Sequence, residues 1–470
     1  MKIENFLLFT SGIIVVLFPF FLIKSGSADV ACVLLGILYL IFCILKKNFQ
    51  YFKNIYFFFF LIAFFYININ SFFSFKPEIS FQVSLAYFRI ILFIIALSIF
   101  FKEINNLKLY FYYSFSICII ILFLGSIFQI WNNFNLQNAN ERISSLFGSK
   151  LIMGSYVVRL LPLIMGIGIL LNLKKLNIYI LIISFILIFL SAERLSFAHF
   201  ILLGFFYFYL TLNFKHFGYS IIIFLILFFC LSLFFPKNYE RLFVHTFNQL
   251  SETKSMGSSY RHTLHYHTAW NMFLEKKVIG HGLKSFRFLC DQPKFTVEKK
   301  IIEDHSRKAP MSGYIKKSNI NLDGVAYLQM EILNNNKIIF VENIITSRFF
   351  VDFVKDGQFV HKNQSLYSYY DFFNGCNTHS HNIYLQFLSE LGFIGFFIFS
   401  IIFLYSLYKL YIYIFLKKKL SNLEKCSALI LFGIFLNMFP FFPSGNYFNN
   451  WMLIIGYLPV GFYLYLIREK

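Results

Sequence analysis

The residues with the widest chemical reach stand together in CNTHSHNIYLQFLSELGFIG, residues 376–395, where His379, His381 and Asn382 come directly before an apolar run. An imidazole titrates near neutral pH. His381, beside the start of what reads as a rigid helix, therefore has the chemistry of a base that takes a proton from a hydroxyl. A histidine that caps the helix, or bonds to loop backbone, is the plainer reading of the same residue. A second set of residues is cationic. Arg89 and Arg159 each lie about eight residues into an apolar run, and Arg194 stands in SAERLSFAH between two more. Arginine in a membrane is costly and faces a bundle interior or a partner. Its rigid five-donor fork suits phosphate and diphosphate better than a lone ion. Snorkelling to the interface, or a pair between Arg194 and Glu193, are the alternatives. A base and a cationic clamp together describe attack by an activated hydroxyl on a carbon whose leaving group is a phosphate. Transfer of a glycan from a lipid-linked donor has that form.

The elements that must hold these residues are membrane helices. Of 470 residues 58% are hydrophobic, 69 are Phe and only 14% are charged, a composition that excludes a soluble domain of this size. Twelve apolar runs read as spans: about 6–23, 29–45, 54–69, 81–101, 109–130, 151–171, 176–191, 195–211, 218–236, 383–408, 426–442 and 447–467. The first shows no cleavage signature and reads as a retained span. The formal charge of +20 is no footprint of nucleic acid, because its distribution follows topology. Alternate short loops carry Lys46, Lys47, Lys53, Lys102, Lys108, Lys174, Lys175, Lys215, Lys417–Lys419 and Lys425, and the two ends add Lys2, Arg468 and Lys470, whereas the opposite short loops carry Lys24, Lys76, Arg142, Lys150 and Arg194. The positive-inside rule then places both termini in the cytoplasm and residues 237–382 outside it. On that topology the spans of Arg89 and Arg159 run inward, which sets both residues roughly 12 Å below the outer surface.

The expected fold is an all-α polytopic membrane protein of about twelve helices with one large periplasmic loop, part helical and part β-rich. Nine spans fill 1–236, the loop 237–382 and three spans 383–470. Within the loop, SSYRHTLHYHTAWNMFLEKKVIGHGLKSFR (258–287) starts as a helix. One stripe runs through Tyr260, Leu264, His267 and Asn271, another through Arg261, His265, Thr268 and Met272. Gly280 and Gly282 then supply a turn with positive φ or close backbone approach. Cys32, Cys43, Cys118, Cys230 and Cys426 lie in or at the ends of apolar runs and read as core residues. Cys290 and Cys376 are the loop's own, and an exoplasmic pair is permitted to oxidise. Cys-x-x-His lacks the second half of a metal-ligand set, so no metal is expected. Between 295 and 370, alternating apolar positions and turn glycines at 313 and 357 read as β-structure. A small β-rich cap over an acceptor entrance, stapled by Cys290 and Cys376, is the expectation. A simple structured loop is the alternative.

SAERLSF (191–197), SSYRHTLHYHTAWNMFLEKKVIGHGLKSF (258–286), THSHNIYLQFLSELGFIGF (378–396) and FPSGNYFNNW (442–451) together resemble the O-antigen ligase and O-antigen polymerase superfamily of bacterial envelope proteins. The resemblance implies an inner-membrane protein that takes glycan from undecaprenyl diphosphate in an inverting, metal-independent transfer without a cofactor. A ligase passes the glycan to a lipid A–core acceptor, and a polymerase passes it to a second lipid-linked repeat. The resemblance implies catalytic roles for His381 as base and for Arg261 and Arg194 at the donor diphosphate. Arg89 and Arg159 are expected to help bind that diphosphate, with His379, Asn382 and Glu390 in support. Polysaccharide assembly proteins are expected partners. The insertion between LCDQPKF and GCNTHSHN is longer than the family pattern requires. Its two pieces are also similar to barrel-sandwich domains of adaptor and lipoyl-type proteins, without their carrier lysine. The ligase is the leading reading and the polymerase its nearest competitor. A transporter or flippase for lipid-linked saccharide is a third, which would more naturally show internal repeats. Reporter fusions within 237–382 should be active only as exoplasmic reporters, and a cytosolic signal there would invert the whole assignment.

Overall fold

The structure, a computed structural model, describes the chain apart from residues 1–2, 135–141, 249–259, 298–299, 323–324, 335–336, 346–349, 374 and 469–470. The helices are α1 (Ile3–Phe21), α2 (Ser25–Lys46), α3 (Ile55–Phe72), α4 (Pro77–Ala86), α5 (Phe88–Glu103), α6 (Leu107–Phe134), α7 (Met153–Leu170), α8 (Lys174–Ser191), α9 (Arg194–Thr211), α10 (Phe214–Phe234), α11 (Pro236–Tyr239), α12 (Tyr260–Glu275), α13 (Phe286–Leu289), α14 (Ile383–Gln386), α15 (Gly392–Tyr411), α16 (Asn422–Asn437) and α17 (Asn450–Arg468). Eleven stretches among the described residues are long and apolar enough to cross a membrane, and the chain is a multi-pass membrane protein. Pro77–Glu103 counts as one of them, α4 and α5 running on through Tyr87. The run expected over 426–442 differs. Its helix, α16, has 16 residues and stops at Asn437, about 24 Å long at the α-helical rise. The next residues, MFPFFPSG, carry Pro440 and Pro443, which cannot continue a helix.

Packing divides the chain into two compact units, Met1–Cys290 with Asn377–Lys470, and Asp291–Cys376. The first is the helical body. At its centre α7 is buried along nearly its whole length and packs against α8 and α16. A Cβ on Gly433 of α16 would lie 2.5 Å from Pro162 of α7, so the small residue is what lets these helices approach. The apolar window of α10 is its opposite, with no residue buried. Cys32, Cys43, Cys118 and Cys426 are buried as expected, whereas Cys230, on α10, is exposed.

The second unit is β-structure. Strands β1 (Lys300–Lys308), β5 (Phe350–Asp352) and β7 (Ser365–Phe373) form a sheet of order β1-β7-β5. Strands β2 (Gly313–Leu322), β3 (Val325–Asn334), β4 (Lys337–Ile345) and β6 (Phe359–Val360) form another of order β4-β3-β2-β6. The recorded pairings are antiparallel, with Tyr314 opposite Leu333 and Leu322 opposite Val325 at the β2–β3 hairpin. Ile315, Met330, Ile332, Val360, Leu366 and Tyr367 share one small core. Cys290 and Cys376, at the two ends of this segment, are disulfide-bonded.

One feature of the helical body fixes the segment of interest. The span that starts at Ile383 is broken. α14 widens into a π-turn over Phe387–Leu391, and Gly392, at φ 66°, separates it from α15. Backbone polar groups freed at membrane depth must find partners inside the protein, and residues 277–282 provide them. Phe393 donates its N–H to the Lys277 carbonyl (2.8 Å), and Gly282 donates to the Glu390 carbonyl (2.8 Å). His281 donates to the Ser389 carbonyl (3.1 Å). From α3, the Asn70 amide reaches the Glu390 carbonyl (3.2 Å) and the Tyr66 hydroxyl reaches that of Leu391. Gly280 has φ 68°, and an added Cβ would lie 2.5 Å from the Glu390 carbonyl carbon. Both properties expected of the Gly-His-Gly turn are therefore present. Gly280→Ala should cost about 2 kcal/mol or more, from strain and from collision with backbone that cannot yield. Thermal unfolding in detergent reads that loss, and an unchanged Tm would mean the turn is not needed to close the break.

Candidate functional site

His381 precedes α14 in a left-handed backbone conformation, φ 57°, costly for a non-glycine residue. Two contacts over-determine it. Its carbonyl accepts the Ser444 N–H (2.8 Å), and Asn382 behind it caps the half-helix by accepting the N–H groups of Tyr384 (3.0 Å) and Leu385 (3.1 Å). The Asn382 amide also donates to the Pro440 carbonyl (2.7 Å). The segment 438–449 after α16 thus holds the histidine from one side.

Three other imidazoles surround that of His381. The ring centroids of His379, His265 and His262 lie 4.0, 4.8 and 5.1 Å away. His262 and His265 are three apart on α12 and so share a face. The stripe of His265, Thr268 and Met272 is buried there, and His267 is exposed. Burial holds His262 below the ordinary histidine range and pushes His379 down to about 4. His381 lies lower still, through burial and then its three imidazole neighbours. All three are neutral at pH 7 and can accept a proton. Asn377 presents its amide nitrogen to Nε2 of His381 at 3.3 Å. A donor there leaves Nε2 with its lone pair and the proton on Nδ1.

The arginines gather at the turn between α8 and α9. A helix leaves its last carbonyls without partners and concentrates negative potential there. At the end of α8 those carbonyls are all engaged. Asn238 donates to the carbonyls of Phe189 (3.1 Å) and Leu190 (2.9 Å). Arg142 donates through Nε to Ser191 (3.0 Å), and Arg241 through Nε to Ala192 (3.3 Å). Arg194 in turn donates through Nε to the Arg241 carbonyl (3.1 Å). Arg194 lies within electrostatic reach of Arg241 and Arg142, and its charge is felt at His262. Among the described residues Arg241 makes no hydrogen bond through its two terminal nitrogens. Glu193 does not pair with Arg194. Its carboxylate caps α7, accepting the N–H groups of Gly154 (2.8 Å) and Ser155 (3.0 Å) and the Ser196 hydroxyl (3.1 Å). Arg142 also donates through Nη2 to the Leu151 carbonyl (3.1 Å), so backbone carbonyls hold all three guanidinium groups in place, and their gathered positive charge can attract an anion bearing several oxygens.

The other expected residues have separate settings. Arg159 is buried, bonding through Nε to Ser155 (3.1 Å) and through Nη1 to Asn437 (3.0 Å). It lines a cavity of about 50 Å³ with Ile383, Asn437 and Tyr447. Arg89 forms an ion pair with Asp29 of α2 (2.9 Å), a partner the sequence reading did not supply. Arg261 opens α12 one residue before His262, and its side chain lies outside the described residues. Glu390 is fully buried and accepts from Gln386 (2.9 Å) and from the Phe286 N–H (3.5 Å). It ties the turn after Gly282 to the half-helix and touches none of the four imidazoles in any recorded bond. Among the described residues no group of three or more His, Cys, Asp or Glu could hold a metal. Arg142, Arg241 and Asn377 were missed as site residues. Only the position of Arg241 directly after the ninth span carried a signal.

Residues 179–311 match a family model described as O-Antigen ligase. That stretch runs from α8 through the arginine turn and α12 to the Gly-His-Gly turn and beyond, and it supports the O-antigen ligase superfamily and a ligase- or polymerase-like role in glycan assembly. No curated protein and no solved structure matches the chain.

The imidazole cluster makes stability depend on pH with a defined sign. The folded-state values of His262, His379 and His381 lie below that of an unfolded histidine, near 6.5. The unfolded chain therefore binds more protons below that pH, so their contribution is complete above about pH 6.5 and drains as pH falls toward about 4. Tm should fall over that window, and His379→Gln should flatten the decline. An equally steep decline in the variant would show that this ring is not held neutral.

Proposed function

We propose that this member of the O-antigen ligase superfamily transfers a glycan from undecaprenyl diphosphate to a sugar of a lipid A–core acceptor. On this reading the protein sits in the bacterial inner membrane with both termini in the cytoplasm. The reaction takes place at the periplasmic face, where the turn between α8 and α9 and the start of α14 then lie. The observation that carries the reading is the meeting at His262, whose ring is 5.1 Å from that of His381 and which feels the charge of Arg194. A neutral base and a cationic clamp adjoin there. Resemblance to the ligase pattern around His379 and His381 favours a lipid A–core acceptor over a second lipid-linked repeat.

The chemistry balances on these residues. The acceptor hydroxyl displaces the Asn377 amide from Nε2 of His381 and gives up its proton to that nitrogen as its oxygen attacks the anomeric carbon. The bond from that carbon to the diphosphate oxygen breaks on the opposite face, and the electron pair leaves with the diphosphate. Arg194, Arg241 and Arg142 stabilise the charge that develops there. Arg261, in the first turn of α12, is assigned to the same anion, and Arg159 to its approach. Arg89, engaged by Asp29, is the weakest of the donor-binding assignments. The free enzyme's His381 is a weak base, and a bound diphosphate raises its affinity for a proton when one has to be taken.

With purified protein, lipid-linked donor and a defined core acceptor, product should form with EDTA present. His381→Gln should retain donor binding while lowering the transfer rate by about 10²–10⁴-fold, the span of general-base catalysis. Full activity in that variant would remove the base assignment. Arg194→Lys should impair nearly as much as Arg194→Ala, because a point charge does not replace the fork. A reaction offered both a core acceptor and a second donor molecule distinguishes the acceptors: polymeric lipid-linked product would replace the ligase reading with the polymerase.

A further inference from the structure

Between α8, α9 and α10 lies a cavity of about 330 Å³ whose lining residues are all apolar. Phe185, Phe200, Phe205, Phe224 and Phe228 supply much of its wall. On α9 it follows one face from Phe197 to Phe208, about 16 Å at the helical rise. Gly204 lies midway, and an added Cβ there would meet nothing within 4 Å. At one end, the rings of Phe197 and Phe243 pack at 5.7 Å. Phe197 is three residues from Arg194 and Phe243 two from Arg241, so the groove opens at the arginine turn. Its outer wall, α10, has no buried residue in its apolar window, so little packing opposes entry from the lipid side.

We propose that this groove holds the polyprenyl tail of the donor, with its diphosphate at Arg194, Arg241 and Arg142. The inference rests on the donor reading above and adds where the lipid lies. Continuity of the groove with the arginine turn, and the charge of that turn, select the occupant. One ligand that fills both places needs an anionic head with several oxygens and a single long apolar chain. A diphosphate on a polyprenol has both, whereas a phospholipid brings two chains and a single phosphodiester. Aromatic walls offer flat apolar surface to the methyl branches of an isoprenoid. The arginines would fix the reacting end, and the groove would supply binding energy remote from the reacting carbon.

Gly204→Phe fills the groove from its open floor without touching the arginines or the imidazoles. The full-length protein is assayed with one glycan carried on undecaprenyl diphosphate or on dimethylallyl diphosphate, whose single isoprene unit ends short of Gly204. For the long donor KM should rise about tenfold with kcat nearly unchanged, and for the short donor kcat/KM should stay within about twofold. Gly204→Ala should behave as the native protein. Equal losses on both donors, or none on either, overturn the proposal and leave the transfer reading standing. If the native protein transfers from neither donor, the transfer reading fails and labelling decides the groove. Attachment of a photoreactive undecaprenyl diphosphate to residues 197–208 or 221–228, abolished in Gly204→Phe, supports the groove. Labelling that excess phosphatidylglycerol displaces equally well overturns it.

Discussion

Backbone polar groups at membrane depth cannot turn to water, and that constraint organises this protein twice. At the broken span, the carbonyls and amides freed around Gly392 are taken up by residues 277–282 and by side chains of α3. At the end of α8, the last carbonyls are taken up by Asn238, Arg142 and Arg241. Each solution serves the site while it satisfies the backbone. The first holds the half-helix that His381 precedes, and the second collects guanidinium groups that would otherwise repel one another. Negative potential at a helix C-terminus offsets part of that repulsion.

The two groupings have complementary deficits. At the arginine turn the nearby carboxylate of Glu193 caps α7 and also lies within electrostatic reach of Arg142, but three guanidinium groups outnumber it, so net positive charge is left to answer an incoming anion. The imidazole cluster has the reverse problem, because burial and neighbouring rings make His381, His379 and His262 resist protonation. An anion held at the arginines would lower that resistance at His381. In this account substrate binding readies the base, and an empty site does not sequester a proton. The left-handed backbone at His381, held by Ser444 and by the Asn382 cap, keeps the ring from relaxing away.

Much of the fold was legible because it follows from hydropathy and period. The long apolar runs, the β-rich segment and the Gly-His-Gly turn all declare themselves through local residue type. The run at 426–442 was misjudged at its end, since hydropathy counts Phe439 to Phe442 as apolar while two prolines end the helix. Of the site, His379, His381 and Asn382 stood in one short stretch and could be read directly. His262 and His265 could be placed on a helix, but not against His381, because that contact spans over a hundred residues. Arg142 and Arg241 look like ordinary loop charges until the end of α8 gives them carbonyls to bind. The partner of Arg89, Asp29, lies on another helix, and depth alone could not distinguish an ion pair from a ligand site.

On the proposed reading, a diphosphate at the arginine turn lies close enough to change the affinity of His381 for a proton. Titration of its imidazole by NMR, with the His381→Gln protein identifying the resonance, tests this with and without undecaprenyl diphosphate. The ring should still be neutral at pH 5.5 in the free protein, and its pKa should rise by about one unit or more on binding. An ordinary histidine value in the free protein, or a titration unmoved by the bound lipid, would contradict it.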